Sequence, residues 1–301
     1  MEQTIRIGTR KSELALRQTE LAAQALQGVM PGISVRLRSR ETKGDRILNR
    51  PLQEFGGKGV FVTELEEEIL KGELDLAVHS AKDLPARLME GLSIAGVLKR
   101  EDPRDVLVTA AGREMEGSGP VRVGTSSPRR RLQTVLLGEK LWPGRGAACE
   151  NLRGNVQTRL KRLEEGAFDA IILAAAGLKR LGLLEDARFS FQFLDPREFI
   201  PAGGQGILAL EAKAGSFGAE LSRMAEDAGT RLCFQTERRV LELLDAGCHE
   251  PVGVYCRQEE GRLRLLGIRE REGRVYRVCL EEEESRWHEL AEQGAKGLGG
   301  R

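Results

Sequence analysis

The chain has 301 residues, of which 40% are hydrophobic and 31% charged, and its 47 basic and 46 acidic residues give a formal net charge of +1. This composition is typical of a globular protein, and a prior of about 150 residues per domain predicts two or three domains. A nucleic-acid-binding protein is disfavoured, because aromatic residues make up only 4% of the chain and the arginines are mixed with glutamates.

The sequence contains few features that indicate a targeting signal or a role for its cysteines. The sequence enters a strand-like stretch at residue 4 without a basic-then-apolar leader, and no apolar run has membrane length, so we expect a cytoplasmic protein without a membrane partner. The cysteines are odd in number and form no CxxC pair, which predicts neither a disulfide framework nor a metal site. They are Cys149, Cys233, Cys248, Cys256 and Cys279.

The first quarter of the chain alternates strand-like and helix-like patterns. An apolar stretch, residues 4–10, ends in Gly-Thr-Arg and precedes an amphipathic helix predicted over 13–27. A strand is predicted over 33–40 and a helix over 60–70. The glycine-dense segment between them, residues 43–59, is typical of a lid or binding loop.

A candidate site carboxylate follows the next strand. The apolar run Leu74-Asp-Leu-Ala-Val78 leads into His79-Ser-Ala-Lys-Asp-Leu-Pro85. Ligands bind at the carboxyl ends of parallel strands, so Asp83 beside Lys82 could serve a site there. An aspartate that caps a helix is the commoner explanation of such a residue, and the sequence leaves both interpretations open.

The stretch Val121-Arg-Val-Gly-Thr-Ser-Ser-Pro-Arg-Arg-Arg131 has the pattern of an anion-binding helix start. A short strand breaks at Gly124, three small polar residues follow, and Pro128 takes the favoured first position of a helix. Arg129 and Arg130 on the first turn oppose the helix dipole, which costs stability unless an anion lies close by. The alternative is a capped surface helix with solvated arginines.

Three further arginines lie near predicted strand ends or helix starts. They are Arg153, Arg159 and Arg180. A guanidinium group binds a carboxylate through two parallel hydrogen bonds, so the sequence predicts a ligand with several carboxylates, with phosphate as the second choice.

Two echoes in the sequence predict two similar α/β domains. Thr4-Ile-Arg-Ile-Gly-Thr9 resembles Val121-Arg-Val-Gly-Thr125, and Lys71-Gly-Glu-Leu-Asp-Leu-Ala77 resembles Glu165-Gly-Ala-Phe-Asp-Ala-Ile171. The echoes occur in the same order, although chance similarity of short patterns is the alternative.

The charged stretch 101–105 and the glycine-rich stretch 199–206 are interpreted as two crossings between these domains, so that the lobes can open and close over a cleft. The predicted fold is α/β, with two bilobal domains and a doubly crossed hinge, plus a small α+β domain. The expected boundaries are 1–101 with 204–228, then 102–203, then 229–301, and helices are predicted over about 217–228 and over 234–244.

Several motifs in one order resemble the hydroxymethylbilane synthase family, whose members are also called porphobilinogen deaminases, and the match runs essentially from end to end. The motifs are Gly124-Thr-Ser-Ser-Pro-Arg-Arg130, His79-Ser-Ala-Lys-Asp83, Leu152-Arg-Gly-Asn-Val156 and Gly247-Cys248. The resemblance implies three domains, the first two built like bilobal binding proteins, and a covalent dipyrromethane cofactor. It further implies stepwise condensation of four porphobilinogen units with loss of ammonia, followed by hydrolytic release of the linear tetrapyrrole hydroxymethylbilane.

The resemblance also assigns residues. Cys248 would carry the cofactor as a thioether, and Asp83 would be the catalytic carboxylate that stabilises the cationic methylene-pyrrolenine formed from porphobilinogen. The remaining positions match those that bind acetate and propionate side chains. The cofactor set is Arg129, Arg130, Lys82, Ser127, Thr125, Arg153 and Arg159, and the substrate set is Arg10, Ser12, Arg153, Arg180 and Lys58. No metal is implied, and a monomer is expected.

Two departures from the family pattern concern less central positions. Glu54 stands where a lysine is usual, so only Lys58 of a basic pair is retained in the glycine-dense segment, and the segment Gly144-Arg-Gly-Ala-Ala-Cys149 is atypical. The main rival is a non-catalytic bilobal protein that binds a multi-carboxylate ligand, because it would use the same arginines but would need neither Asp83 nor a modified Cys248. A nucleic-acid-binding protein would instead show steeply salt-dependent affinity.

Overall fold

A computed structural model describes residues 3–40, 62–85, 87–113, 117–247 and 250–300 of the chain. The strands of this part are, in chain order, β1 (Thr4–Arg10), β2 (Ser34–Arg40), β3 (Leu76–Ser80), β4 (Leu92–Val97), β5 (Asp105–Ala110), β6 (Val121–Gly124), β7 (Ala147–Glu150), β8 (Ala170–Ala174), β9 (Phe189–Phe193), β10 (Leu208–Lys213), β11 (Val252–Glu259), β12 (Arg262–Arg271) and β13 (Arg274–Glu283). The helices are α1 (Glu13–Val29), α2 (Thr63–Leu70), α3 (Pro128–Leu141), α4 (Val156–Glu164), α5 (Ala175–Arg180), α6 (Phe217–Met224), α7 (Ala228–Leu243) and α8 (Trp287–Gly297).

Two five-stranded sheets share one topology. The first has the order β2-β1-β3-β10-β4 and the second β7-β6-β8-β5-β9. In each sheet the second strand pairs parallel with both neighbours, whereas the fourth strand pairs antiparallel with both of its neighbours. The repeated α/β architecture predicted from the two echoes is therefore confirmed.

The chain crosses between these sheets twice. It leaves the first sheet after β4, enters the second through β5, and returns from β9 to β10. Helices cover the sheets with apolar faces, as α1 does by burying Ala22 and Leu26 on β1 and β3. Since the parallel strands of both sheets end near the crossings, their carboxyl ends meet at one cleft.

The third sheet is antiparallel, with the order β11-β12-β13. Helices α7 and α8 pack on one of its faces through residues such as Val240 and Leu290. Its other face contacts Ile200 of the return crossing and Leu132 of α3. The expected small α+β unit is therefore present and touches the helix that follows the Thr-Ser-Ser motif.

Some element boundaries differ from those expected. The helix predicted over 217–228 ends at Met224, because the Asp227 side chain accepts a hydrogen bond from Thr230 N (2.8 Å) and starts α7 at Ala228. Strand β11 was not predicted. No helix in the described ranges is both long and apolar enough to cross a membrane.

Candidate active site

Asp83 lies in a short turn that follows β3. The 3-10 turn Ala81–Asp83 is held by Ala81 N, which donates to Ile207 O (3.0 Å), and by Gln18 Nε2, which donates to Ser80 Oγ (2.8 Å). Asp83 is exposed and ends this turn rather than starting a helix, so the helix-capping interpretation does not apply. No hydrogen bond recorded among the described residues uses its side chain, which leaves the carboxylate available to a ligand.

The return crossing packs directly against this turn at Gly204. A Cβ at Gly204 would lie 2.9 Å from Ala81 Cβ and 3.0 Å from Lys82 N, and the residue has a φ of +75°. Both features require glycine. The hinge backbone therefore supports the turn that carries Lys82 and Asp83, a role that the sequence analysis missed although it recognised the crossing.

The start of α3 has the predicted capping arrangement. Ser127 Oγ accepts a hydrogen bond from Arg130 N (3.4 Å), and Thr125 Oγ1 accepts one from Ser127 N (3.2 Å). Each hydroxyl keeps its own hydrogen for donation to a ligand oxygen. Thr125 and Ser127 can therefore cap the helix and bind a carboxylate at the same time.

Asp105 supplies the anion that the two arginines on the first turn of α3 require. Arg129 Nη1 lies 2.6 Å from Asp105 Oδ2, and Arg130 Nε lies 2.9 Å from Asp105 Oδ1. All three side chains are buried. Burial alone would raise the pKa of Asp105, but the charges of Arg129 and Arg130 outweigh it and lower the pKa to about 2. From the sequence, the charges around Asp105 were interpreted as part of a hinge, so the salt bridges of Asp105 to Arg129 and Arg130 were not predicted.

The two arginines differ in how many of their guanidinium nitrogen atoms contact protein oxygen atoms. Arg130 uses Nε and Nη2 on Asp105 and donates from Nη1 to Ile172 O (2.7 Å). Arg129 uses Nη1 for both Asp105 and Ile200 O (2.7 Å). In this conformation all three nitrogen atoms of the Arg130 guanidinium group already bind the protein.

The remaining cations surround Asp83. Burial lowers the pKa of Lys82 to about 8, an effect opposed by Asp83 and reinforced by Arg130. Burial likewise lowers the pKa of Arg159 to about 10, again with contributions from Arg130, Asp83 and Arg153. These mutual effects place Lys82, Asp83, Arg130, Arg153 and Arg159 in one cluster, in which the cations outnumber the carboxylates even when Asp105 is included.

Three other predicted residues lie at the ends of β1 and α5 and at the start of α1. Arg10 ends β1, which pairs parallel with β3, and Ser12 accepts a hydrogen bond from Ala15 N (3.3 Å) at the start of α1. Arg180 ends α5, where Nη2 donates to Gly206 O (2.7 Å) and Glu101 is its charged neighbour. The structure thus associates Arg180 with the hinge rather than with Asp83.

Cys248 and Lys58 lie outside the described residues, as does Glu54. The strand that follows Cys248 in the sequence is described by the structure. A Cβ at Gly253 in β11 would lie 2.9 Å from Ile200 O and 3.1 Å from Arg129 Cδ. The strand that begins four residues after Cys248 therefore contacts Arg129 closely, which is a second contact that the sequence analysis missed.

The described part of the chain contains no group of three metal-ligating side chains of the His, Cys, Asp and Glu types. Fold and site together define a class of protein: a bilobal α/β protein with an exposed carboxylate in a cationic cleft and a third unit packed beside the cleft.

Comparison with known proteins narrows this class. Residues 5–219 match the family model described as "Porphobilinogen deaminase, dipyromethane cofactor binding domain". A porphobilinogen deaminase from Syntrophobacter fumaroxidans is 45% identical over 89% of this chain and 84% of its own length. One from a Roseiflexus species is 45% identical over 92% and 89%, and one from Chromobacterium violaceum 43% identical over 87% and 82%. The chain belongs to the porphobilinogen deaminase family.

Proposed function

We propose that this chain is a transferase that condenses four porphobilinogen units head to tail with loss of ammonia and then releases the linear tetrapyrrole hydroxymethylbilane by hydrolysis. Family membership supports the reaction, and the single structural observation that supports it best is the exposed Asp83 carboxylate within an excess of cations. Porphobilinogen carries two carboxylates and a pyrrole nitrogen on which positive charge develops, so it needs both kinds of group.

The cationic cluster fits a bound dipyrromethane. Its excess positive charge suits a group with several carboxylates, and the hydroxyl hydrogens of Thr125 and Ser127 add neutral donors. When bound, the dipyrromethane supplies the pyrrole carbon from which the chain grows. The proposed holders are Cys248 through a thioether and Lys82, Thr125, Ser127, Arg129, Arg130, Arg153 and Arg159 through hydrogen bonds or charge.

The incoming substrate would be bound at the border of the cluster. Arg10, Ser12, Arg153 and Lys58 are the proposed carboxylate ligands. Arg180 is proposed to join them, and since its guanidinium now holds Gly206 O of the hinge, binding a carboxylate would require it to exchange that contact. Such an exchange would link substrate binding to lobe movement.

Asp83 is the proposed catalytic residue. An ionised carboxylate near the pyrrole nitrogen stabilises the positive charge that develops on the substrate as ammonia leaves. The same oxygen atoms can accept a pyrrole proton and return it. Lys82 lies next to Asp83 in the chain, and the charge of Asp83 raises the pKa of Lys82 against the effect of burial, so the two side chains attract each other.

The finer assignments form part of the same proposal. The proposed domains are 1–101 with 204–228, 102–203 and 229–301, and the membership of β10 in the first sheet supports the split first domain. A cytoplasmic monomer without a nucleic-acid or membrane partner agrees with the balanced charge of the chain.

The variant Asp83→Asn tests the catalytic assignment. We expect it to fold and to keep the covalent mass increment of the parent, while porphobilinogen consumption falls by about 100-fold or more, the usual effect of removing one preorganised electrostatic stabiliser. The matched control is Asp195→Asn, since Asp195 is paired with Arg197 at the surface. A near-parental rate in Asp83→Asn would exclude the assigned role.

A further inference from the structure

A second cluster of ionisable side chains lies buried behind the strand that leads to Asp83. Glu66 comes from α2, His79 from β3 and Glu211 from β10, and their exposed fractions are 4%, 8% and 0%. Burying two carboxylates beside each other is costly unless they are neutralised or hydrogen-bonded. The reaction described above uses none of the three side chains, so their retention in the core requires another explanation.

The hydrogen bonds of the cluster leave one oxygen atom without a donor. His79 Nε2 lies 2.9 Å from Glu211 Oε2, and Glu66 Oε1 accepts from Met89 N (3.0 Å). Glu211 Oε1 is buried and has no partner when both carboxylates are ionised. A proton on Glu66 lets its carboxyl group donate to Glu211, which provides the missing hydrogen bond. Burial and the neighbouring Glu211 both raise the pKa of Glu66, whereas the bond from Met89 N and the nearby His79 oppose the rise.

Arg238, a residue of the third unit, supplies a positive charge that balances the negative charge of this cluster. It lies on α7, and its charge and that of Glu211 stabilise each other although burial lowers the Arg238 pKa. With Glu66 neutral, one carboxylate is balanced by one guanidinium. Arg238 also contacts Glu242 on its own helix, and its Nη2 donates to Pro85 O (2.9 Å), two residues beyond Asp83.

These contacts hold the chain on both sides of the turn Ala81–Asp83. His79 is the residue of β3 from which the chain continues to Lys82 and Asp83, while Pro85 closes the turn against Arg238. The same helix α7 ends at Leu243, five residues before Cys248. The cluster thereby connects the turn that carries Asp83 to the helix that leads to Cys248.

We infer that Glu66 retains a proton that it shares with Glu211 through a hydrogen bond, and that Glu66, His79, Glu211 and Arg238 act as positioning residues that hold the Asp83 turn against α7. The inference rests on the proposed role of Asp83, but the shared proton does not. None of the four side chains needs to touch the substrate, since they act through the geometry of the turn.

Comparing Glu66→Gln with the parent tests the shared proton. A glutamine amide can donate permanently to Glu211 Oε1, so this variant should keep kcat and KM within about twofold of the parent at neutral pH. The parent binds a proton more tightly when folded than when unfolded, so its stability contribution from Glu66 is complete below the ordinary glutamate pKa and is lost as the pH rises through the raised value. The melting temperature of the parent should therefore fall relative to that of Glu66→Gln between pH 5 and about pH 9. A constant difference over this range would overturn the shared proton.

Glu66→Ala tests positioning. It leaves Glu211 Oε1 without a donor, and kcat should fall by about 10- to 100-fold, as expected for a displaced catalytic group, while the covalent mass increment is kept. The matched control is Glu67→Gln on the exposed face of the same helix, which should change neither kcat nor the pH profile.

A folded Glu66→Ala protein with parental kcat would overturn the positioning role. If Glu66→Ala does not fold, the Glu211→Gln variant takes its place, and parental kcat in that variant would have the same meaning. The melting profiles need no turnover, so they remain decisive even if Asp83→Asn proves active.

Discussion

Asp105 shows how one buried residue can set the charge of a binding cleft. Its carboxylate holds Arg129 and Arg130 at the start of α3, and the three side chains are almost inaccessible to solvent. Because Asp105 forms salt bridges to both arginines, its negative charge reduces the repulsion between the two guanidinium groups. The cleft can therefore concentrate positive charge without losing the helix start to repulsion.

Removing that carboxylate should be severe. Asp105→Asn leaves two buried arginines without a counter-charge, and we expect the free energy of unfolding to fall by about 3–5 kcal/mol, as is usual when a buried pair is broken. Chemical denaturation at pH 7 measures this change. Because the folded pKa of Asp105 is about 2, its contribution should be complete above the ordinary aspartate pKa and lost as the pH falls through 2. A loss below 1 kcal/mol would contradict the internal counter-ion.

Lys82 should give the cleft a pH dependence near neutrality. Its pKa of about 8 means that it loses its proton between pH 7 and 9, which weakens carboxylate binding as the pH rises. We expect the KM for porphobilinogen to increase over this range. Lys82→Arg, which keeps its charge, should flatten the profile. An identical rise in both proteins would assign the effect to another group.

At the scale of elements, the return crossing sets the position of the site through Gly204. This residue has a φ of +75°, and a Cβ at this position would lie only 2.9–3.0 Å from atoms of Ala81 and Lys82. The hinge and the turn that carries Asp83 therefore form one packed unit, and movement of the lobes has to be absorbed elsewhere in the crossings.

Gly204→Ala should displace this turn. A matched control is Gly215→Ala, because Gly215 has a φ of +71° but open space around its missing Cβ. The control should lose about 1–2 kcal/mol from backbone strain alone. Gly204→Ala should lose more stability and also lower kcat. Equal losses of stability with an unchanged kcat in both variants would show that the contact does not matter.

At the scale of the whole molecule, Arg100 and Glu237 join the two crossings to the third unit. The Glu237 carboxylate accepts hydrogen bonds from Arg100 Nη2 (2.6 Å), Gly204 N (2.6 Å) and Cys256 N (2.6 Å). Arg100 also donates to Gln205 O (3.1 Å) and Cys256 O (2.9 Å). One buried ion pair thus links the start of the first crossing and the return crossing to α7 and β11.

Glu237→Ala should uncouple the third unit from the lobes. The variant leaves a buried guanidinium without its counter-charge and two backbone donors unpaired, so we expect the free energy of unfolding to fall by about 3–5 kcal/mol and the third unit to unfold first. Calorimetry compared with Glu242→Ala, a partly exposed position on the same helix, measures the effect. A single transition at the parental temperature would contradict the linking role.

Sequence patterns predicted those parts of the fold that depend on local information. The repeated strand, glycine and helix pattern gave the two sheets, and the Ser127 cap and Pro128 gave the start of α3. Asp105 was missed because its partners lie 24 and 25 residues later in the chain, and only the pairing of β5 with β8, and of β8 with β6, brings them together. The start of α7 was missed because Asp227 was counted within the preceding helix rather than as a cap.

The residues of the candidate site also fall into two groups, those that the sequence predicts and those that only the folded structure reveals. Asp83 and the arginines were found because motifs and strand ends mark them, whereas Gly204 and Gly253 acquire their roles only from contacts between distant segments. The buried cluster of Glu66, His79 and Glu211 has no sequence signal either, since its members come from three elements and meet only in the folded core.

The central claim is that this chain builds its product on a dipyrromethane held by Cys248. The intact mass of the denatured protein tests it most directly, with Cys248→Ala as the variant and Cys279→Ala, at an exposed cysteine, as the matched control. After incubation with porphobilinogen, the parent and Cys279→Ala should both carry an increment of at least two pyrrole units, with further single units from bound intermediates, and Cys248→Ala should have the mass of the polypeptide alone. An increment retained in Cys248→Ala, or none in a parent incubated with substrate, would contradict the account.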